Sequence, residues 1–180
     1  MRELKILNDA TSALEGADAL DPVVDRVKGV VLTALPDPVR DVLHGVPVGH
    51  AVHPVAVLLP IGAWIGSAIL DAVPGAEKAS RILVAVGIAS VLPSVATGLA
   101  DWSQLRADQS RVGIVHALTN TVATSLYAVS FVQRSRGRQL SGRVLGLAGL
   151  AVVGVSGYLG GHLTYRMGAS VEPVSGPLQT

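Results

Sequence analysis

The stretch HGVPVGHAVHPVAVLLPIGAWIGSAIL, residues 44–70, places three histidines in front of a long apolar run. From Ala51 to Leu70 the chain has no Asp, Glu, Lys or Arg. About 20 residues in a helix span the ~30 Å hydrocarbon core of a bilayer, so this run predicts a membrane helix. Histidine is costly in lipid, and its clustering at the edge of the run therefore needs an explanation.

Four uncharged apolar stretches of this kind occur in the chain: 51–70, 82–100, 112–132 and 144–163. Helices of soluble bundles normally carry a charged stripe, which these stretches lack. The loops between them are short, so the sequence predicts an all-α, up-down bundle of four helices in the membrane. The membrane domain covers residues 44–168, and an N-terminal segment (1–43) and a C-terminal tail (169–180) lie on one side of it.

The composition agrees with a small membrane protein. The chain is 49% hydrophobic and 15% charged, and its mean hydropathy is +0.50. A net charge of +1 and an aromatic content of 3% argue against nucleic-acid binding. The chain contains no cysteine, which excludes disulfides and thiolate-ligated metal or iron–sulfur sites within it. The sequence has no motif that pairs a nucleophile with a base, so an enzymatic activity is not indicated.

The distribution of basic residues predicts the orientation. Loops 71–81 and 133–143 together carry Lys78, Arg81, Arg134, Arg136, Arg138 and Arg143. Loop 101–111 carries only Arg106 and Arg111. The positive-inside rule therefore places loops 71–81 and 133–143 in the cytoplasm, for a multi-pass protein of the inner (plasma) membrane. No basic region followed by an apolar core opens the chain, so we expect no cleaved signal peptide.

The N-terminal segment contains a helical apolar pattern. Asp21 can cap a helix that has Pro22 at its first position. Apolar residues then recur at helical spacing: Leu20, Val23, Val24, Val27, Val30, Val31, Ala34 and Leu35. The pattern predicts an amphipathic helix that lies on the membrane surface, on the mouth of the bundle, or on a soluble partner.

Two GxxxG pairs lie in the predicted spans. Gly62 and Gly66 belong to the first span, and Gly157 and Gly161 belong to the fourth. Such pairs let helix backbones approach closely in lipid. They predict either a tight bundle or a homodimer through these faces.

All five histidines fall at the membrane face that holds the two termini: His44, His50, His53, His116 and His162. Asp101, just past the second span, joins them. Each of the four helices therefore brings one ligand-type residue to the same depth, within about one to two helical turns. Asn120 and Tyr158 each lie four residues from a histidine, on the same helix face, and can support the imidazoles by hydrogen bonds.

Neutral imidazoles together with a carboxylate suit zinc, copper or non-haem iron. We therefore predict a metal site formed by His50, His53, Asp101, His116 and His162. Two imidazoles on facing helices would equally suit a b-type haem, held by His53, His116 and His162. A polar cluster with a purely structural role is the alternative, and the spacing of the residues does not decide among the three.

The segments HGVPVGHAVHPVAVLLPIGAW, GLADW, HALTN and GYLGGHLTYRMGASV occur in an order that resembles the predicted bacterial membrane proteins of domain-of-unknown-function family 2231. The resemblance covers residues 40–172. It implies a four-span module with marks at His53–Pro54, Asp101, His116 and Gly160–Gly161. Some members look fused to a Rieske-type iron–sulfur domain, which this chain lacks, and this implies a link to electron transfer and a redox partner protein.

Three functions follow from these observations. The favoured one is a non-catalytic module that binds a metal or haem and is linked to redox chemistry. The first alternative is a membrane scaffold or anchor subunit that holds a partner through residues 1–40 and the GxxxG faces. The second is a small transporter or proton relay, which would need polar residues through the whole membrane. Few polar residues lie far from the histidine face: Ser90, Thr124, Ser125 and Tyr127.

Overall fold

The computed structural model describes residues 5–169, and every regular element in that range is a helix. The α-helices are α1 (Lys5–Glu15), α2 (Asp21–Ala34), α3 (Asp37–His44), α4 (His53–Ala56), α5 (Leu58–Leu70), α6 (Glu77–Trp102), α7 (Ala107–Ser135) and α8 (Gln139–Tyr165). Short 3-10 turns lie at Asp18–Leu20 and Val46–Val48. The prediction of an all-α chain is confirmed. The predicted C-terminal tail, beyond its first residue, lies outside the described residues.

Within residues 5–169, four helical segments are long and apolar enough to cross a membrane: His53–Leu70, Glu77–Trp102, Ala107–Ser135 and Gln139–Tyr165. The first segment combines α4 and α5. The other three are longer than the uncharged stretches that predicted them. Helical hydrogen bonding continues into the flanking polar residues, whereas a count of apolar residues stops at the first charge.

The chain divides into two compact units. Unit 1 comprises the described residues up to Val52 together with Ala96–Ala117 and 157–169. Unit 2 comprises His53–Val95 and Leu118–Ser156.

Unit 2 is built around a stacked aromatic pair. The rings of Trp64 in α5 and Tyr127 in α7 lie 4.1 Å apart and are nearly parallel. Glycines on the neighbouring helices make room for them. A Cβ atom at Gly149 would lie 2.8 Å from Cε2 of Tyr127, and one at Gly87 would collide with the Trp64 indole. Val84 of α6 and Val153 of α8 complete the buried core, so all four membrane-length segments contribute to it.

The predicted GxxxG pairs make few of these contacts. A Cβ atom at Gly62 or Gly157 would meet no described atom within 4 Å, so the expectation that these two glycines pack the bundle is wrong. Gly66 does face another helix, because its Cβ position lies 3.0 Å from Leu83 of α6. A homodimer through these faces stays a prediction.

In unit 1, α2 lies against the ends of two long helices. Val24 and Val31 of α2 are buried in a cluster with Trp102 at the end of α6. Half-buried apolar residues surround this cluster: Leu20, Val27, Leu35, Leu99, Leu105 and Ile114. Of the three locations considered for the amphipathic helix, the structure selects the mouth of the bundle.

Candidate functional site

Side-chain contacts at three points join the N-terminal helices to the long helices inside unit 1, and we call them the clasp: Glu15–His162, Asp21–Arg111 and His44–Asp101. Asp18 pairs with Arg111 beside Asp21. The N-terminal partners lie at the end of α1, the start of α2 and the end of α3. Their counterparts belong to α8, α7 and α6 respectively. Contacts at three separate points prevent the N-terminal helices from pivoting about any single one.

Arg111 forms the central contact of the clasp. Its Nε and Nη2 donate to the two carboxylate oxygens of Asp21 at 2.7 and 2.8 Å, and Nη1 donates to the backbone oxygen of Glu15 at 2.8 Å. The hydrogen bond from Arg111 lowers the pKa of Asp21, against a smaller opposing effect of burial. Asp21 therefore does not cap α2 as predicted. The N-cap position is occupied by Leu20, which makes no side-chain capping bond.

His44 and Asp101 form the second contact. Nδ1 of His44 lies 2.6 Å from Oδ1 of Asp101, and the Asp101 side chain is only 7% exposed. Gly45 ends α3 in the left-handed region with φ of 100°, where a Cβ atom would collide with the backbone of His50. His44 was not among the predicted ligands. Its position in the last turn of α3, directly before a C-capping glycine, is the sequence signal that could have singled it out.

His162 forms the third contact. Its Nε2 lies 2.7 Å from Oε1 of Glu15, and the imidazole is 8% exposed. A cleft of about 280 Å³ opens beside His162, and its lining residues are Asn8, Tyr158, Gly161, His162 and Arg166. Tyr158, predicted to support His162, therefore shares a cleft with it.

The other histidines have separate environments. In unit 2, Nδ1 of His53 lies 2.9 Å from the backbone oxygen of Ser94, and since a carbonyl can only accept, Nδ1 carries the hydrogen. In unit 1, the ring of His116 packs on Gly160, where a Cβ atom would lie 3.1 Å from its Cε1. His50 is exposed.

Across residues 5–169, no three His, Cys, Asp or Glu side chains form a group that could hold a metal ion. Among the proposed ligands, Asp101 pairs with His44, His162 pairs with Glu15, and His53 binds the backbone oxygen of Ser94. The described geometry gives no support to a metal or haem site, which stays a prediction. The residues of that predicted site are His50, His53, Asp101, His116 and His162, with Asn120 and Tyr158 as supporting residues.

A second group of charges lies in unit 2, where four helix ends meet, and we call it the Arg134 network. Arg134, expected in an exposed loop, is 1% exposed. Its Nη1 and Nη2 donate to the two carboxylate oxygens of Asp71 at 2.6 and 2.7 Å. It also donates to the hydroxyls of Ser80 and Ser130 and to the backbone oxygen of Gly142. One side chain therefore ties together the end of α5, the start of α6, the end of α7 and the start of α8.

The electrostatics of the Arg134 network favour the ionised carboxylate. Burial by itself would raise the pKa of Asp71. The hydrogen bonds from Arg134 and Ser80, together with the charges of Arg134 and Arg143, outweigh burial and lower that pKa. Sequence reasoning missed this network, although each partner is the first charged residue after an uncharged span.

Residues 49–173 match the model of a family described as predicted membrane protein (DUF2231). No curated protein and no solved structure matches the chain. The matched region contains all four membrane-length segments and more than half of the chain. The resemblance noted in the sequence is thus confirmed, and the chain belongs to the DUF2231 family of predicted membrane proteins.

Proposed function

We propose that this protein is a non-catalytic membrane scaffold. Its four spans anchor it in the bilayer, and the clasp holds the N-terminal helices as a fixed platform that binds a partner protein. One observation carries this proposal. Histidine, arginine and carboxylate side chains of unit 1 bind one another, and these contacts attach the N-terminal helices to the long helices. A platform must be rigid, and three spaced side-chain contacts supply rigidity.

The distances within the clasp support this assignment over a metal or haem site. His44 and His162 each lie 2.6–2.7 Å from a carboxylate oxygen, which is the length of a strong, charge-assisted hydrogen bond. An imidazole nitrogen and a carboxylate engaged with each other in this way would have to separate before either bound a metal. The polar side of α2, with Arg26 and Thr33 exposed, provides the surface for a partner.

The test uses the absence of cysteine from the chain. A single cysteine introduced by Arg26→Cys carries a photoactivatable cross-linker in native membranes, and the product is identified by mass spectrometry. We expect one reproducible partner. Its cross-link should be reduced several-fold by Arg111→Met combined with His44→Ala, because this double variant leaves a single contact of the clasp, about which the N-terminal helices can pivot. The control is Arg106→Met, because Arg106 pairs only with the exposed Asp108 and is itself 64% exposed.

Two results would overturn the scaffold proposal. One is a cross-linked partner that is equally abundant with the clasp intact and with it opened. The other is a stoichiometric metal or haem in the purified protein, measured by absorption spectroscopy and elemental analysis. The second result would favour the redox-linked module that the sequence predicts.

A further inference from the structure

After its first turn, α3 turns its polar side chains towards the protein. The side chains of Arg40 and His44 are each only 17% exposed, whereas Asp37 at the start of the helix is 81% exposed. Two apolar side chains of α3 face outward, since Val39 is 47% exposed and Val42 is 61% exposed. A helix on a soluble surface buries its apolar face and exposes its polar one. The arrangement in the later part of α3 is the reverse.

One further valine extends this pattern beyond the end of α3. Val48, in the turn after α3, is 65% exposed. We call this set the outer valines: Val39, Val42 and Val48. Single exposed apolar residues are ordinary, but three within ten residues, outside the spans, indicate a surface that another medium or molecule covers.

The position of α3 in the chain identifies that partner. Only residues 45–52 separate α3 from His53, where the first membrane-length segment begins. Within unit 1, His44 at the end of α3 lies 2.6 Å from Asp101, the next-to-last residue of the membrane-length segment Glu77–Trp102. The end of α3 therefore lies at the level where that segment ends. Unit 1 also exposes Tyr158 and Tyr165, and tyrosine is enriched at membrane–water interfaces.

We propose that the outer valines insert into the interfacial layer of the bilayer and contact lipid acyl chains. Helices that lie in this layer bury an apolar face at the boundary between headgroups and acyl chains. In α3 the opposite, polar side is held by the protein itself through His44 and Asp101. The inference does not depend on the scaffold proposal, because the polar side of α2 remains available to a partner.

The test places a nitroxide spin label at a single cysteine, in vesicles of phosphatidylcholine and phosphatidylglycerol. Val42→Cys and Val39→Cys probe the outer valines. Thr33→Cys is the matched control, because Thr33 lies on the exposed polar side of α2 and has a side chain of similar size. We expect the ratio of collisions with oxygen to collisions with a water-soluble nickel complex to be at least several-fold higher at the valine positions.

Three results would overturn the lipid assignment. The first is access of the nickel complex to the Val42 label equal to that at Thr33, which would place the helix in water. The second is exclusion of both reagents together with dipolar broadening in singly labelled samples, which would place a second copy of the chain on α3. The third is exclusion of both reagents without broadening, which would place other protein there. Val39→Cys serves as the second α3 position if Val42→Cys does not fold.

Discussion

Replacing Arg134 by methionine removes the charge at the centre of the Arg134 network while keeping most of the side-chain volume. Arg134 is 1% exposed, and the Asp71 side chain that it holds is 12% exposed. Removing one partner of a buried ion pair costs about 3–5 kcal/mol, because the remaining charge stays buried without compensation. Arg143 remains 3.8 Å from the same carboxylate and reduces the loss. We therefore expect a destabilisation of ~3 kcal/mol, about a hundred-fold in the unfolding equilibrium.

The free energy of unfolding is measured in lipid bicelles by steric trapping. Arg136→Met is the control, because Arg136 is exposed two residues further along the chain. Asp71→Asn and the double variant complete a mutant cycle, in which the double variant should lose clearly less stability than the sum of the single ones. The reasoning would be refuted if Arg134→Met cost no more than Arg136→Met, or if the two single losses were additive.

The pH dependence of stability provides a second measurement on the same pair. The pKa of Asp71 is lowered in the folded protein, because its hydrogen bonds and neighbouring arginines outweigh burial. The stability that Asp71 contributes is therefore complete above the ordinary aspartate pKa of about 3.9, and it is lost as the pH falls through the lower pKa of the folded state. The stability difference between wild type and Asp71→Asn should be constant from about pH 5 upwards and shrink below about pH 4. A difference that is unchanged in acid would contradict this assignment.

Three further predictions concern packing and topology. Gly149→Ala should lower the free energy of unfolding by about 1–3 kcal/mol, because the new Cβ atom would crowd the Tyr127 ring. Gly157→Ala should be neutral or slightly stabilising, because its Cβ atom would meet open space. Equal effects of the two variants in the unfolding assay would count against the packing described. Tyr127→Phe should not lower the free energy of unfolding, because the Tyr127 hydroxyl is buried and has no hydrogen-bond partner among the described residues. A measurable loss of stability would mean that the hydroxyl binds something else. Single cysteines introduced by Ser12→Cys and Ser135→Cys should be labelled from opposite sides of the membrane, and position 135 should be accessible from the cytoplasm. Labelling of both positions from one side would be incompatible with four spans.

The sequence alone determined the number, type and approximate limits of the main elements. A membrane span is a local property, because each stretch of about 20 uncharged residues meets the requirement of the bilayer without reference to the rest of the chain. The helical spacing of Val24 and Val31 predicted that α2 is amphipathic, but the structure decided that its apolar face packs on the protein. The motifs around His53, Asp101 and His116 were sufficient to identify the family.

Only the tertiary structure decided which side chains meet. Spacing along the chain places a residue at a depth, but the rotation of each helix about its axis decides which neighbour the residue faces. Asp101 is bound by His44, 57 residues away, and Asp71 is bound by Arg134, 63 residues away, and no local pattern links either pair. For the same reason Gly149 lies against a ring while Gly157 lies open, although both are glycines of one helix. Within unit 1, His44 and His162 are likewise paired with two different carboxylates, Asp101 and Glu15.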